Sequence, residues 1–245
     1  MSLLALDEVT KAFGGLVAVS DLSFEVREGE VLALIGPNGA GKSTAFNLIS
    51  GLLAPDRGRI AFDGREITRL PPSARAHLGI GRTFQVMQPF HDMTVLENVM
   101  VGELFGHAVP KSLAEARRDA EGICRLVGIE HLMHREATGL GVADLKRLEV
   151  ARALATHPRL LLLDEVMAGL RPPEVDQAVQ MLRGLRSAGI TLLVIDHVIR
   201  SVRDLADRVV VLNFGRKIAE GTFAAVARDP PVIQAYLGEA GEGGG

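Results

Sequence analysis

Val31-Leu32-Ala33-Leu34-Ile35-Gly36-Pro37-Asn38-Gly39-Ala40-Gly41-Lys42-Ser43-Thr44 decides the reading of this chain. The first five residues are a continuous apolar run, the pattern of a strand buried on both faces. The glycines that follow let the backbone curl so that successive N–H groups point inward at an anion. Lys42 adds a point charge for the β/γ-phosphates, and Ser43 offers a hydroxyl to Mg²⁺. Ala45-Phe46-Asn47-Leu48-Ile49 then leaves at helical spacing. A glycine-rich turn that binds nothing has no use for the Lys-Ser pair between such a strand and such a helix. The segment predicts a phosphate-binding loop for a nucleoside triphosphate, with Gly36 to Thr44 as its contact residues.

The 245 residues suffice for one large α/β domain or a domain with an insertion. Hydrophobic residues make up 47% and charged residues 23%, which is ordinary for a globular chain. The net charge of −3 gives no basic footprint for nucleic acid or anionic lipid. The lone cysteine, Cys124, excludes an internal disulfide framework, fits a reducing compartment, and falls in an apolar-periodic helix where core packing is its expected role. The start, Met1 to Glu8, lacks the basic opening of a signal peptide and ends in two acids. No apolar run approaches the roughly 18 residues of a membrane span, so membrane contact is expected only through a partner.

Short β-type segments precede the loop at Leu3 to Val9, Val17 to Val19 and Leu22 to Val26, and Arg59 to Phe62 with Asp63-Gly64 signals a hairpin after it. From about Pro71 to His134 the periodicity turns helical, notably over Leu96 to Phe105 and Ala114 to Val127. The pattern then alternates: a helix from about Asp144 to Ala155, the strand Leu160 to Leu163, a helix from Glu174 to Leu185, and the strand Thr191 to Ile195. Helices alternating with fully apolar strands predict a parallel sheet covered on both faces. Val209 to Leu212 and Lys217 to Ala219, around Asn213-Phe214-Gly215, predict a closing hairpin.

Asp164 and Glu165 follow the apolar strand Leu160 to Leu163, where an open α/β sheet presents its ligand-binding edge. Paired with the phosphate loop, Asp164 is expected to hold Mg²⁺ through water, and Glu165 to orient and deprotonate the attacking water.

With these residues in view the chain resembles an ATP-binding cassette (ABC) ATPase over nearly all its length. The resemblance implies an α/β P-loop NTPase core with an N-terminal antiparallel β subdomain and an inserted helical subdomain at approximately 86–155. It implies one ABC ATPase domain over 1–238, with 239–245 a flexible tail, and ATP and Mg²⁺ as cofactors. Phe13 matches the aromatic that stacks on adenine, Gln85 the Q-loop glutamine that reaches Mg²⁺ and the attacking water, and His197 the switch histidine at the γ-phosphate. Core packing for Phe13, a surface position for Gln85 and helix capping for His197 are the alternatives. Ala168 to Pro172 matches the D-loop. The implied catalytic set is Glu165, Gln85 and His197, and the implied metal set is Ser43, Gln85 and Asp164.

A narrower likeness lies in Leu70-Pro71-Pro72, Gly79-Ile80-Gly81-Arg82-Thr83-Phe84-Gln85, Met93 to Asn98 and Tyr236-Leu237-Gly238-Glu239. These are similar to the ATP-binding subunits of branched-chain amino-acid importers. That family implies a second cassette as partner in a heterodimer, integral-membrane permease subunits docked near Gln85 to Val101, and a peripheral position on the cytoplasmic face of the bacterial inner membrane. Two other readings stay open: a regulatory cassette with little hydrolysis, and a lipopolysaccharide-export type, which shares the Tyr-Leu-Gly ending.

One motif departs from the family. Leu-Ser-Tyr-Gly-Gln is expected before the helix that carries Lys146 to Leu154, and Leu140-Gly141-Val142-Ala143-Asp144 stands there instead. In an ABC dimer this signature faces the γ-phosphate held by the other subunit. Gly141 has no hydroxyl, Ala143 adds a methyl and Asp144 brings a negative charge. Asp144 is expected to serve as the N-cap of its helix. Val166 replaces a usual proline, and Val198 a usual polar residue after His197.

Overall fold

The computed structural model describes residues 2–84, 88–105 and 112–242. In chain order the elements begin with β1 (Ser2–Phe13), β2 (Leu16–Arg27), β3 (Val31–Ile35), α1 (Lys42–Ser50), β4 (Arg57–Phe62) and β5 (Arg65–Glu66). Next come α2 (Pro72–His77), β6 (Ile80–Arg82), α3 (Val95–Phe105), α4 (Leu113–Val127), α5 (Val142–Leu154), β7 (Leu160–Asp164) and α6 (Pro172–Ser187). The chain closes with β8 (Thr191–Ile195), α7 (Ile199–Leu205), β9 (Arg208–Asn213), β10 (Arg216–Gly221), α8 (Phe223–Val226) and α9 (Pro230–Glu242). The chain divides into two compact units, residues 1–72 with 191–245 and residues 73–190.

The first unit holds two sheets. One is antiparallel, in the order β2-β1-β4-β5. The segments Val17 to Val19 and Leu22 to Val26 are parts of one bulged strand, β2, that pairs with β1 along its whole length. In the other sheet β3 lies between β8 and β9 and runs parallel to both, with β10 antiparallel on β9. Every residue of β3 and β8 is buried, the apolar ones as strands covered on both faces require, and the one polar residue, Thr191, accepts from the Gly29 N–H (3.0 Å). The far side of β9 packs Val209 and Val211 against Val202 of α7, Val226 of α8 and Val232 of α9.

The second unit is mostly helical around one parallel strand pair. In it β6 runs beside β7, with Ile80 opposite Leu160 and Arg82 opposite Leu162. The segment Ile80–Arg82 therefore corrects the expectation of helical character throughout Pro71 to His134. A three-residue strand is too short to leave a periodicity of its own, and the buried Leu160 to Leu163 run recruits it by pairing. α4 begins at a capping box, in which the Ser112 side chain accepts from the Glu115 N–H and Glu115 accepts from the Ser112 N–H. Its buried stripe is Ala116, Ala120, Cys124 and Val127, spaced for one helix face.

Candidate functional site

The phosphate loop leaves the end of β3 and enters α1. Two of its glycines are required by space as well as by conformation. Gly36 has φ +151, and a Cβ there would lie 2.1 Å from the Leu212 carbonyl oxygen at the end of β9. Gly41, the N-cap of α1, has φ +100, and a Cβ would lie 2.4 Å from the Ala18 carbonyl oxygen on β2. The turn after β9 braces the loop from outside, the Gly215 N–H donating to the Ala40 carbonyl (3.0 Å). Lys42 is buried, and its Nζ donates to the carbonyls of Gly36 and Pro37 at 2.7 Å each. The ammonium is thereby curled against the inner wall of its own loop. Asn38, Gly39 and Ser43 are exposed, and Thr44 is half-buried. The first N–H groups of α1 have no intrahelical acceptor and, with the helix dipole, favour an anion at this end.

The same unit carries His197. It is exposed, two residues past the end of β8, and the turn holding it is fixed by the buried Asp196, whose Oδ1 accepts from the Val198 N–H (2.9 Å). Because β3 and β8 are parallel neighbours, with Ala33 opposite Val194, the phosphate loop and His197 leave the sheet at the same edge. That is the edge at which open α/β sheets bind ligands. Phe13 ends β1 and is 47% exposed, which removes the core-packing alternative for it. Lys11 Nζ lies 5.7 Å from its ring centroid, and Asp56 holds that strand end, accepting from Lys11 Nζ (2.8 Å) and the Ala12 N–H (2.7 Å). Gln85 lies outside the described residues.

In the second unit Asp164 is the last residue of β7 and is buried. Its N–H donates to the Thr83 Oγ1 (3.0 Å), and its Oδ2 accepts from the Arg82 guanidinium (3.2 Å). Burial pulls the Arg82 pKa below its ordinary value, while Asp164 acts in the opposite sense. Sequence reasoning missed Arg82 as the partner of this carboxylate. No sequence signal marks it, since the three-residue β6 that brings Arg82 to Asp164 leaves no periodicity of its own. Glu165 follows in the left-handed region, φ +51, and is half-buried. That turn swings the chain away from the line of β7, and Val166 and Met167 return to the interior.

The signature segment opens α5. Gly141 is the N-cap, with φ −73 and ψ 165, and makes no side-chain cap hydrogen bond. Asp144 is therefore the third residue of the helix and not its cap, contrary to the sequence expectation. The extended backbone at Gly141 starts the helix at Val142, and Asp144 favours it only as an acid in the first turn. Val142 is 51% exposed at this end. The D-loop leads into α6, where the Glu174 carboxylate accepts from the Arg171 N–H (2.8 Å) and pairs with its guanidinium.

Comparison with known proteins agrees with this geometry. A model for the ABC transporter family matches residues 19–168, and one for branched-chain amino acid ATP-binding cassette transporters matches residues 216–242. The high-affinity branched-chain amino acid transport ATP-binding protein LivG of Salmonella typhimurium is 39% identical, covering 97% of this chain and 98% of that protein. The corresponding protein BraF of Pseudomonas aeruginosa is likewise 39% identical over 97% of this chain.

The chain belongs to the ABC transporter family.

It is an ATP-binding cassette, and solved cassettes share its fold. One crystallised in its ADP conformation superposes with a TM-score of 0.89 at 35% identity, covering 97% of this chain and 99% of the other. A dimeric cassette in a post-hydrolysis state, bound to ADP and Pi, gives a TM-score of 0.81 at 27% identity, covering 90% of this chain and 98% of the other. The antiparallel β region, the parallel core strands and the helical region expected from sequence are all present in this cassette. Among the described residues no helix is long and apolar enough to cross a membrane.

Proposed function

We propose that this cassette binds MgATP and hydrolyses it to power import of branched-chain amino acids, peripheral to the cytoplasmic face of the membrane and docked on permease subunits. The observation that carries the reading is likeness along the whole chain to branched-chain transport ATP-binding proteins, together with a phosphate loop whose lysine is already curled inward. In this reading Lys42 and the loop amides take the β/γ-phosphates and Phe13 stacks on the adenine. Ser43 and Asp164 serve Mg²⁺, the latter through water, joined by Gln85. Glu165 takes the proton of the attacking water, and His197 meets the γ-phosphate.

The signature segment favours a heterodimer over a homodimer. Each ATP in an ABC pair lies between one chain's phosphate loop and the other's signature. Gly141 and Asp144 supply neither the hydroxyl nor a neutral helix start, so a homodimer would carry the defect at both sites. Loss of one aimed donor at such a site costs about 3 kcal/mol of transition-state stabilisation. Paired with a cassette of intact signature, this chain's own phosphate loop and Glu165 remain productive. The same segment supports a second reading, a regulatory cassette that binds ATP with little turnover.

ATP hydrolysis by the reconstituted transporter, with and without leucine, isoleucine or valine, tests the proposal. Stimulation by these three and not by charged amino acids is expected, with little turnover by the isolated chain. Stimulation by none of them contradicts the substrate assignment. Turnover that Glu165→Gln in this chain leaves unchanged favours the regulatory reading.

A further inference from the structure

Outside the nucleotide-binding residues, three metal-ligating side chains converge in the second unit. They are Glu103 near the end of α3, Asp119 on α4 and His157 in the turn between α5 and β7. One ligand atom from each lies within 4.8 Å of the other two. We propose that Glu103, Asp119 and His157 form a binding site for a divalent transition-metal ion of the zinc class.

The packing explains why the three meet. At Gly102 a Cβ would come within 2.6 Å of the Ala155 Cβ and 2.8 Å of the Arg152 carbonyl oxygen, so α3 crosses the end of α5 at its closest approach there. The next residue, Glu103, is carried inward and is 1% exposed. His157, at φ +53, turns the chain back toward β7, and its Nε2 lies 2.8 Å from Glu103 Oε2.

The second carboxylate oxygen is what the described residues leave unanswered. Glu103 Oε1 is buried and has no hydrogen-bond partner among the described residues. Buried polar atoms are nearly always satisfied, and a carboxylate oxygen has two lone pairs to place. Asp119 adds a second carboxylate, while His157 offers one imidazole. A divalent cation would meet two carboxylates and one imidazole there and take the free lone pair of Glu103 Oε1. Mixed nitrogen and carboxylate donors suit zinc, with a fourth position left for water. Bound there, the ion ties α3, α4 and the turn that leads into β7.

The test uses the full chain stripped of metal by chelation, without nucleotide and in excess Mg²⁺, titrated with zinc chloride by calorimetry and by thermal melting. The expected result is one tight equivalent of zinc and a raised Tm. Asp119→Asn and His157→Gln should each weaken uptake about tenfold or more and lose the Tm rise. Glu103→Gln should do the same. If it fails to fold, the other two variants, at partly accessible positions, still decide the matter. No zinc uptake by the parent, or variants that bind zinc as tightly as the parent, would overturn the site.

Discussion

Lys146 Nζ donates to the backbone carbonyl of Glu165 across 2.5 Å. The first residue lies one turn into the helix that the signature segment opens, and the second is the carboxylate assigned to the attacking water. Glu165 holds a left-handed backbone conformation that a non-glycine residue adopts at a cost of order 1 kcal/mol. The lysine contact holds the turn in that conformation. One charge-assisted hydrogen bond thus ties the helix opened by the signature segment to the backbone of Glu165, and in the proposed function it would link the partner-facing helix to the residue that serves this chain's own nucleotide.

Lys146→Met should therefore lower the hydrolysis rate of the assembled transporter while leaving ATP affinity within about twofold. A charge-assisted hydrogen bond contributes about 1.5–3 kcal/mol, so a rate loss of roughly tenfold or more is expected. Lys146→Arg should recover part of it. Single-turnover measurements separate the effect from product release, and a rate unchanged by the methionine variant would refute the coupling.

The phosphate-loop glycines should differ sharply under alanine substitution. Gly36→Ala drives a methyl into the Leu212 carbonyl and must shift the end of β9, so a Tm drop and loss of ATP binding are expected. Gly39 has φ +74, but nothing lies within 4 Å of its Cβ direction. Gly39→Ala meets only the left-handed strain, about 1 kcal/mol, and should melt within a few degrees of the parent. Equal Tm losses for the two would contradict the close approach at Gly36.

Restoring the signature should raise activity. The combined change Gly141→Ser, Ala143→Gly and Asp144→Gln returns a hydroxyl, removes a methyl and removes a negative charge at the start of α5. ATPase turnover of the isolated chain should rise roughly a hundredfold, the scale of one recovered donor. Unchanged turnover would place the limitation elsewhere.

Cys124 should resist alkylation while the cassette is folded. Burial on the inner stripe of α4 pushes its thiol up to about 11. At pH 8 the thiolate is scarce and inaccessible, and it becomes abundant only as pH rises through that value. Iodoacetamide labelling should be slow until denaturant is added. Rapid labelling of the native chain would contradict the packing of α4.

Much of this was legible in the residues. The apolar runs at Val31 to Ile35, Leu160 to Leu163 and Leu192 to Ile195 became parallel buried strands because nothing polar interrupts them. The Asn213-Phe214-Gly215 turn closed its hairpin as expected. The sequence was silent where tertiary pairing decided. β6 exists because β7 needs a neighbour, and Arg82 meets Asp164 only once that strand is in register. Asp144 misled because a good capping residue stood near a helix start, while backbone geometry gave the cap to Gly141. The meeting of Glu103 with His157 was equally hidden, since 54 residues separate them and only the crossing at Gly102 brings them together.

Calorimetric titration of the full chain with MgATP, beside Lys42→Ala, tests the central assignment most directly. One equivalent should bind to the parent, and the alanine variant should bind at least about tenfold more weakly, as removal of a charged hydrogen-bond donor implies. Equal heats from both proteins, or no heat from the parent, would contradict it.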